Sequence, residues 1–151
     1  MLSFLMLFAM LTASFPTEPI SIGSWRIEQS GGPFGEMTCT IRAPAESGKL
    51  SLMVSARGLK TVVGVIAAES FVPEDLESIA IQYRFGARDP VEAEWGVSAG
   101  RLIFVEGDPS RFIRDLKRAH QFAFRTDGVT AVFPLSRTED AIAEIYKRCA
   151  P

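Results

Sequence analysis

Side chains that carry chemistry are scarce in this sequence. Among 151 residues there is one histidine, His120, and there are two cysteines, Cys39 and Cys149, with no CxxC spacing. A zinc site needs three or four nitrogen and sulfur ligands, and a calcium loop of the DxDxDG type is missing. No metal and no cofactor is therefore expected. His120 closes a helical stretch. Its plain reading is a solvent-facing or capping residue, because nothing in sequence nominates a nucleophile within its reach. Nor is one sign of charge in excess: 16 Lys and Arg stand against 18 Asp and Glu, a formal net charge of −2. No global field recruits nucleic acid, and no nucleic-acid partner is expected.

Long apolar runs are missing too, since a membrane-spanning helix needs roughly 20 residues. The first fourteen residues, MLSFLMLFAMLTAS, carry no charge and end in the small residues Thr12-Ala13-Ser14. That is the outline of a signal peptide over residues 1–14. It lacks the basic n-region, which leaves a misassigned start or an N-terminal core segment as the other reading. Read as a leader, it implies a periplasmic or secreted protein with no membrane span in its mature form.

In a reducing cytosol two thiols are small buried hydrophobes, whereas in an oxidising space a lone pair cross-links. Closing a loop of about 100 residues is worth about 4.7 kcal/mol in the chain-entropy description. With export, a Cys39–Cys149 disulfide is expected, and without it two structural thiols.

What is present is patterned for a single α+β domain over residues 20–151. Hydrophobic residues make up 47% and charged residues 23% of the chain, ordinary values for one core. SWRIEQ reads as a first strand with Trp25 and Ile27 on one face, and MTCTIRA as a strand with Cys39 and Ile41 on one side. LSLMVSA alternates cleanly, and IAIQYRF places Ile79, Ile81, Tyr83 and Phe85 together; TVVGVIAA suits a strand buried on both faces or part of a buried helix, its β-branched residues and Gly64 favouring strand. EWGVS and RLIFVEG follow. GDPSRFIRDLKRAH opens a helix with Asp108 at the N-cap and Pro109 at the first helical position. QFAFRTDGVTAVFPL is a hairpin in which a type I′ turn at Asp127-Gly128 sets Phe122 against Phe133. A last helix starts near Ser136 with Glu139 as its capping-box partner, and buries Ala141, Ile142, Ile145 and Cys149. The fold class expected is mostly antiparallel sheet or sandwich, about eight strands with two short helices, the C-terminal one tethered by the disulfide.

One charge feature stands out. Arg111, Arg114, Lys117 and Arg118 recur three and four apart on the first helix, with Arg101 and Arg125 as possible neighbours, a stripe suited to phosphates, a carboxylated polymer or an acidic protein surface. The bland reading is a solvated face partly compensated by Asp115. SGGPFGE lacks the Lys and Ser/Thr of a phosphate-cradling loop. It reads as a turn, with Phe34 at its tip as a candidate contact residue. The acid pairs Glu74-Asp75 and Glu92/Glu94 are surface-loop residues before they are an acid/base dyad.

The order WRIEQ, TCTIRA, IAIQYRF, EWGVSAGRLIF and TAVFPLSRTEDAIAEIYKRC resembles small exported bacterial β-rich proteins: the invasion-associated locus B family and type VI secretion accessory proteins of the VasI kind. In these a tryptophan strand opens the domain and an A-x-x-x-L/I-x-x-x-C helix closes it, matched here by Ala141, Ile145 and Cys149. The chain departs where the usual glycine before the last helix is replaced by Ser136-Arg137, and it lacks the extra cysteines of locus B relatives. The resemblance implies an envelope or secreted location and a non-catalytic binding or accessory role toward an unknown protein or envelope polymer. It carries no catalytic residue onto this chain. A cell-wall or glycan hydrolase, and an inhibitor plugging a secreted enzyme with the SGGPFGE loop, are the alternatives.

Overall fold

Period-2 alternation broken by glycine-rich turns commits much of the chain to strands. The structure, a computed structural model, describes residues 19–31, 37–105 and 109–149. Its strands are β1 (Ile20–Ile22), β2 (Trp25–Ser30), β3 (Thr38–Pro44), β4 (Leu50–Arg57), β5 (Lys60–Ala67), β6 (Ser78–Phe85), β7 (Val91–Ser98), β8 (Leu102–Val105), β9 (Gln121–Thr126) and β10 (Val129–Pro134). Helix α1 (Ser110–Arg118) joins β8 to β9, and α2 (Thr138–Cys149) comes last. All ten strands belong to one sheet, in the order β1-β2-β3-β4-β5-β8-β7-β6-β9-β10, and every pairing is antiparallel. Ten strands thus replace the expected number of about eight. The extra pairing at the start, β1, is three residues long and mostly exposed, too short for alternation to register.

The sheet curls until its two ends meet. Glu46 N–H, in the β3–β4 turn, donates to the Val132 carbonyl on β10 at 2.8 Å, and Ser136 N–H donates to Ser24 Oγ, in the β1–β2 turn, at 3.0 Å. The inner face holds Trp25, Cys39, Ile41, Leu52, Val54, Ile103, Trp95, Phe122 and Phe133, each at most 2% exposed. Outside, glycines let bulky side chains lie flat on the strands: a Cβ on Gly64 would meet Leu102, and one on Gly96 would meet the Phe104 ring at 3.1 Å.

Strand order dictates α1. Because β8 pairs with β7 while β9 pairs with β6, the β8–β9 connection must cross three interstrand steps, about 14 Å at about 4.8 Å each. A nine-residue helix spans about 13.5 Å. It is anchored by Phe112, whose ring centroid lies 5.0 Å from Phe85, 5.4 Å from Tyr83, 5.6 Å from Phe122 and 5.7 Å from Trp95. Edge-to-face packing of this kind adds to what burial alone supplies.

Helix α2 is held at both ends against β1 to β4. Trp25 Nε1 donates to Thr138 Oγ1 at 2.9 Å in its first turn, and the Cys39–Cys149 disulfide closes its last, with Cα atoms 5.7 Å apart, inside the usual disulfide range. Between them Ala141, Ile142 and Ile145 are fully buried.

Three local expectations are corrected. Pro109 is the cap of α1 rather than its first helical residue, and Asp108 lies outside the described residues. Ser136 does not cap α2, which begins at Thr138; its backbone is engaged by Ser24. Arg137 follows at φ 55°, the left-handed conformation in which glycine is unstrained, at the place where the locus B pattern has glycine. Finally, only Gly128 has positive φ in the β9–β10 turn, so it is not type I′, although Phe122 does face Phe133. Positive φ at two successive residues occurs instead at Ala99 (52°) and Gly100 (67°) between β7 and β8.

Candidate functional site

Helix geometry decides what the basic stripe can do. At about 100° per residue, Arg111, Arg114 and Arg118 fall within about 60° of one another, opposite the buried Phe112, Ile113 and Leu116. Lys117 and Asp115 lie on opposite flanks of that face. Asp115 is paired with Arg88 at 3.1 Å, so the flank toward β6 is compensated. There the Tyr83 phenol is raised above its ordinary pKa, first by burial, then by the nearby Asp115 carboxylate, with Arg111 pulling the other way.

The Lys117 flank opens on a cleft of about 850 Å³. Its floor comes from Val62 on β5, Phe104 on β8 and Ile113 on α1, and Tyr146 of α2 closes one wall. The Tyr146 hydroxyl is hydrogen-bonded to Thr61 Oγ1 at 3.1 Å. Lys60, Arg114 and Lys117 stand around this floor, and no carboxylate lines the cleft among the described residues. None of the three is ion-paired with a described residue. Leu59, 94% exposed, forms the lip, in a two-residue β4–β5 turn whose first central residue is Gly58 at φ 56°. Lys60, Leu59, Val62 and Tyr146 were not evident as a site in sequence. Their one local signal is an apolar residue in a tight turn between cations, RGLK.

Other candidates scatter. Arg118 borders a different hollow, Arg125 donates to Gln82 Oε1 at 2.6 Å on the outer face of the sheet, and Arg101 sits in the β7–β8 turn. None of the last two lines the cleft. Phe34 lies outside the described residues, as do residues 1–14. Glu74, Asp75, Glu77 and Glu94 gather in an acidic hollow that shares Phe104 and Val105 with the cleft, so β8 is a ridge between regions of opposite charge. Ser70 donates to Glu74 at 2.9 Å and Ser78 to Glu94 there. Among the described residues no group of three or more His, Cys, Asp or Glu is placed to hold a metal ion.

Two serine arrangements bear on catalysis. Gly96-Val97-Ser98-Ala99-Gly100 spells GxSxG, but Ser98 ends β7 and leads into a hairpin rather than a helix, so the strand–turn–helix elbow that exposes a nucleophile is not built. A small hollow of about 260 Å³ brings His120, Ser136 and Asp140 together. Asp140 there is paired with Arg137 at 3.0 Å, and no hydrogen bond joins His120 to Ser136 or to a carboxylate among the described residues.

No family model matches the chain, and no curated protein matches it. A solved structure does. The chain is similar in fold to invasion associated protein B from Bartonella henselae. The superposition has a TM-score of 0.62 at 11% identity and covers 87% of this chain and 98% of that one. At that identity the likeness shows the fold alone, which is the fold half of the locus B resemblance. The bridged cysteines fit an oxidising compartment outside the cytoplasm. Among the described residues no helix is long and apolar enough to cross a membrane.

Proposed function

We propose that this is an exported, non-enzymatic binding or accessory protein, periplasmic or secreted, that contacts an anionic envelope or host macromolecule through the exposed face of α1. The observation that carries the reading is local charge: Arg111, Arg114, Lys117 and Arg118 collect on one helix of a chain whose net charge is −2. The disulfide and the fold likeness support the location, and the fixed aromatic anchor of α1 supports a preformed contact face. The test is recovery of cross-linked partners from envelope extract by the protein and by its Arg111→Glu/Arg118→Glu variant, with circular dichroism confirming the fold. Loss of the partner in the variant is expected, and undiminished recovery rejects the face. A hydrolase remains the second reading, supported by His120, Ser136 and Asp140 sharing one hollow. Covalent labelling by a fluorophosphonate that disappears in Ser136→Ala would favour it.

A further inference from the structure

The cleft beside α1 combines two properties that a purely electrostatic contact face does not need. Its floor is apolar and half-buried at Val62 and Phe104, with Tyr146 half-buried in the wall, and among the described residues its cations stand on one side of the Phe104 ridge while carboxylates stand on the other. A ligand with charge alone has no use for that floor. One with hydrocarbon alone would leave Lys60, Arg114 and Lys117 facing apolar atoms. We infer that the cleft binds a single-chain anionic amphiphile, a hydrocarbon chain ending in a carboxylate or phosphate.

The chain lies along Val62 and Phe104 beneath Leu59, removing apolar surface of both partners from water. The head group faces Lys60, Arg114 and Lys117, each able to donate charge-assisted hydrogen bonds. Direction is fixed by repulsion, because a reversed ligand would bring its anion toward Glu74, Asp75 and Glu94 beyond the ridge. The cleft volume of about 850 Å³ lies within the range of small-molecule sites. Two of the three cations belong to the α1 face of the proposed function, on which this inference partly rests; Lys60 and Val62 do not, and they separate the two.

Calorimetric titration of the disulfide-bonded protein with dodecanoate and dodecyl phosphate, each kept monomeric, tests the inference. Saturable binding is expected for both, with affinity rising about two- to four-fold per methylene across octanoate, decanoate and dodecanoate. Acetate and inorganic phosphate are expected to show no saturable heat. Lys60→Ala with Lys117→Ala should weaken dodecanoate roughly ten-fold, and Val62→Glu should abolish its binding. Arg111→Glu/Arg118→Glu lies outside the cleft and should leave dodecanoate within about two-fold even where the macromolecular contact is lost. Three results overturn the inference: equal affinity for uncharged dodecyl maltoside, no dependence on chain length, or binding to phosphatidylglycerol vesicles with none to monomeric chains. Unchanged dodecanoate binding by a folded Val62→Glu protein overturns it as well.

Discussion

Opening the Cys39–Cys149 bridge is the most informative single perturbation of this fold. The two cysteines are 110 residues apart, and the chain-entropy expression gives about 4.8 kcal/mol for closing a loop of that length, while natural bridges deliver about 2–4 kcal/mol. A chain of this size loses about 2–4 °C of Tm per kcal/mol. Cys39→Ala with Cys149→Ala is therefore expected to melt roughly 4–16 °C below the bridged protein. Cys39 is fully buried and Cys149 8% exposed, so a reductant reaches the sulfurs only when the last turn of α2 lifts from β3. Reduction should accordingly be slow in buffer and accelerate in mild denaturant. Near-ultraviolet circular dichroism reports the melt, because Trp25 is packed against the same helix through Thr138. Melts of the bridged and bridgeless proteins that coincide within about 2 °C, against the shift just worked, would refute the reasoning.

Two other perturbations probe the sheet and the base of α1. Gly64→Ala would place a methyl 2.7 Å from the Ile103 carbonyl oxygen and 2.9 Å from Leu102 Cδ1, so β8 must shift on β5. Overpacking of that kind costs about 1–3 kcal/mol, visible as a lowered urea midpoint, and an unchanged midpoint would contradict the close approach. Tyr83 ionises above its ordinary value of 10.0 in the folded protein because burial, then Asp115, disfavours the phenolate. Its contribution to stability is thus intact below that value and lost as pH rises from there through the folded pKa. Stability measured on either side of pH 10.0 should fall less in Tyr83→Phe than in the parent, and equal falls would remove Tyr83 as the cause.

Much of the sheet was legible because its strands have one wet face. Leu50, Leu52 and Val54 alternate with Ser51, Met53 and Ser55, and the structure buries the first set; Ile81 and Phe85 behave likewise. TVVGVIAA is a strand whose centre, Val63, Gly64 and Val65, is buried, whereas Val62 and Ile66 on its outer face are only half-buried, so burial on both faces holds at the centre alone. Turn chemistry was less legible. Ala99 in the left-handed region breaks the residue preference on which turn assignment rests, and Asp127 does not take the conformation its place before Gly128 invites. The start of α2 was misplaced by one or two residues for the same reason: Arg137 accepts positive φ while Ser136 is held by Ser24 across 112 residues, a contact no local pattern reports. The cleft was half legible. Arg114 and Lys117 were read from helical spacing, but Lys60, Val62 and Tyr146 come from β5 and α2 and meet only through the strand order.

That strand order ties the site to the staple. Placing β8 beside β5, with β9 three positions away, forces α1 to cross the sheet and leaves a gap between its Ile113 side and the β4–β5 turn. The gap becomes a cleft because α2 supplies Tyr146 as a wall, fixed to Thr61 on β5. Tyr146 lies one turn before Cys149, so the residue that closes the cleft and the residue that closes the covalent loop move on the same segment of helix. A helix end released from β3 loses its most restrictive tether, and a hydrogen bond between two half-exposed hydroxyls contributes only about 1 kcal/mol. The geometry of the cleft wall therefore depends on the redox state of a bond on the far side of α2, and a reduced protein would keep the cations of α1 while losing the enclosure beside them.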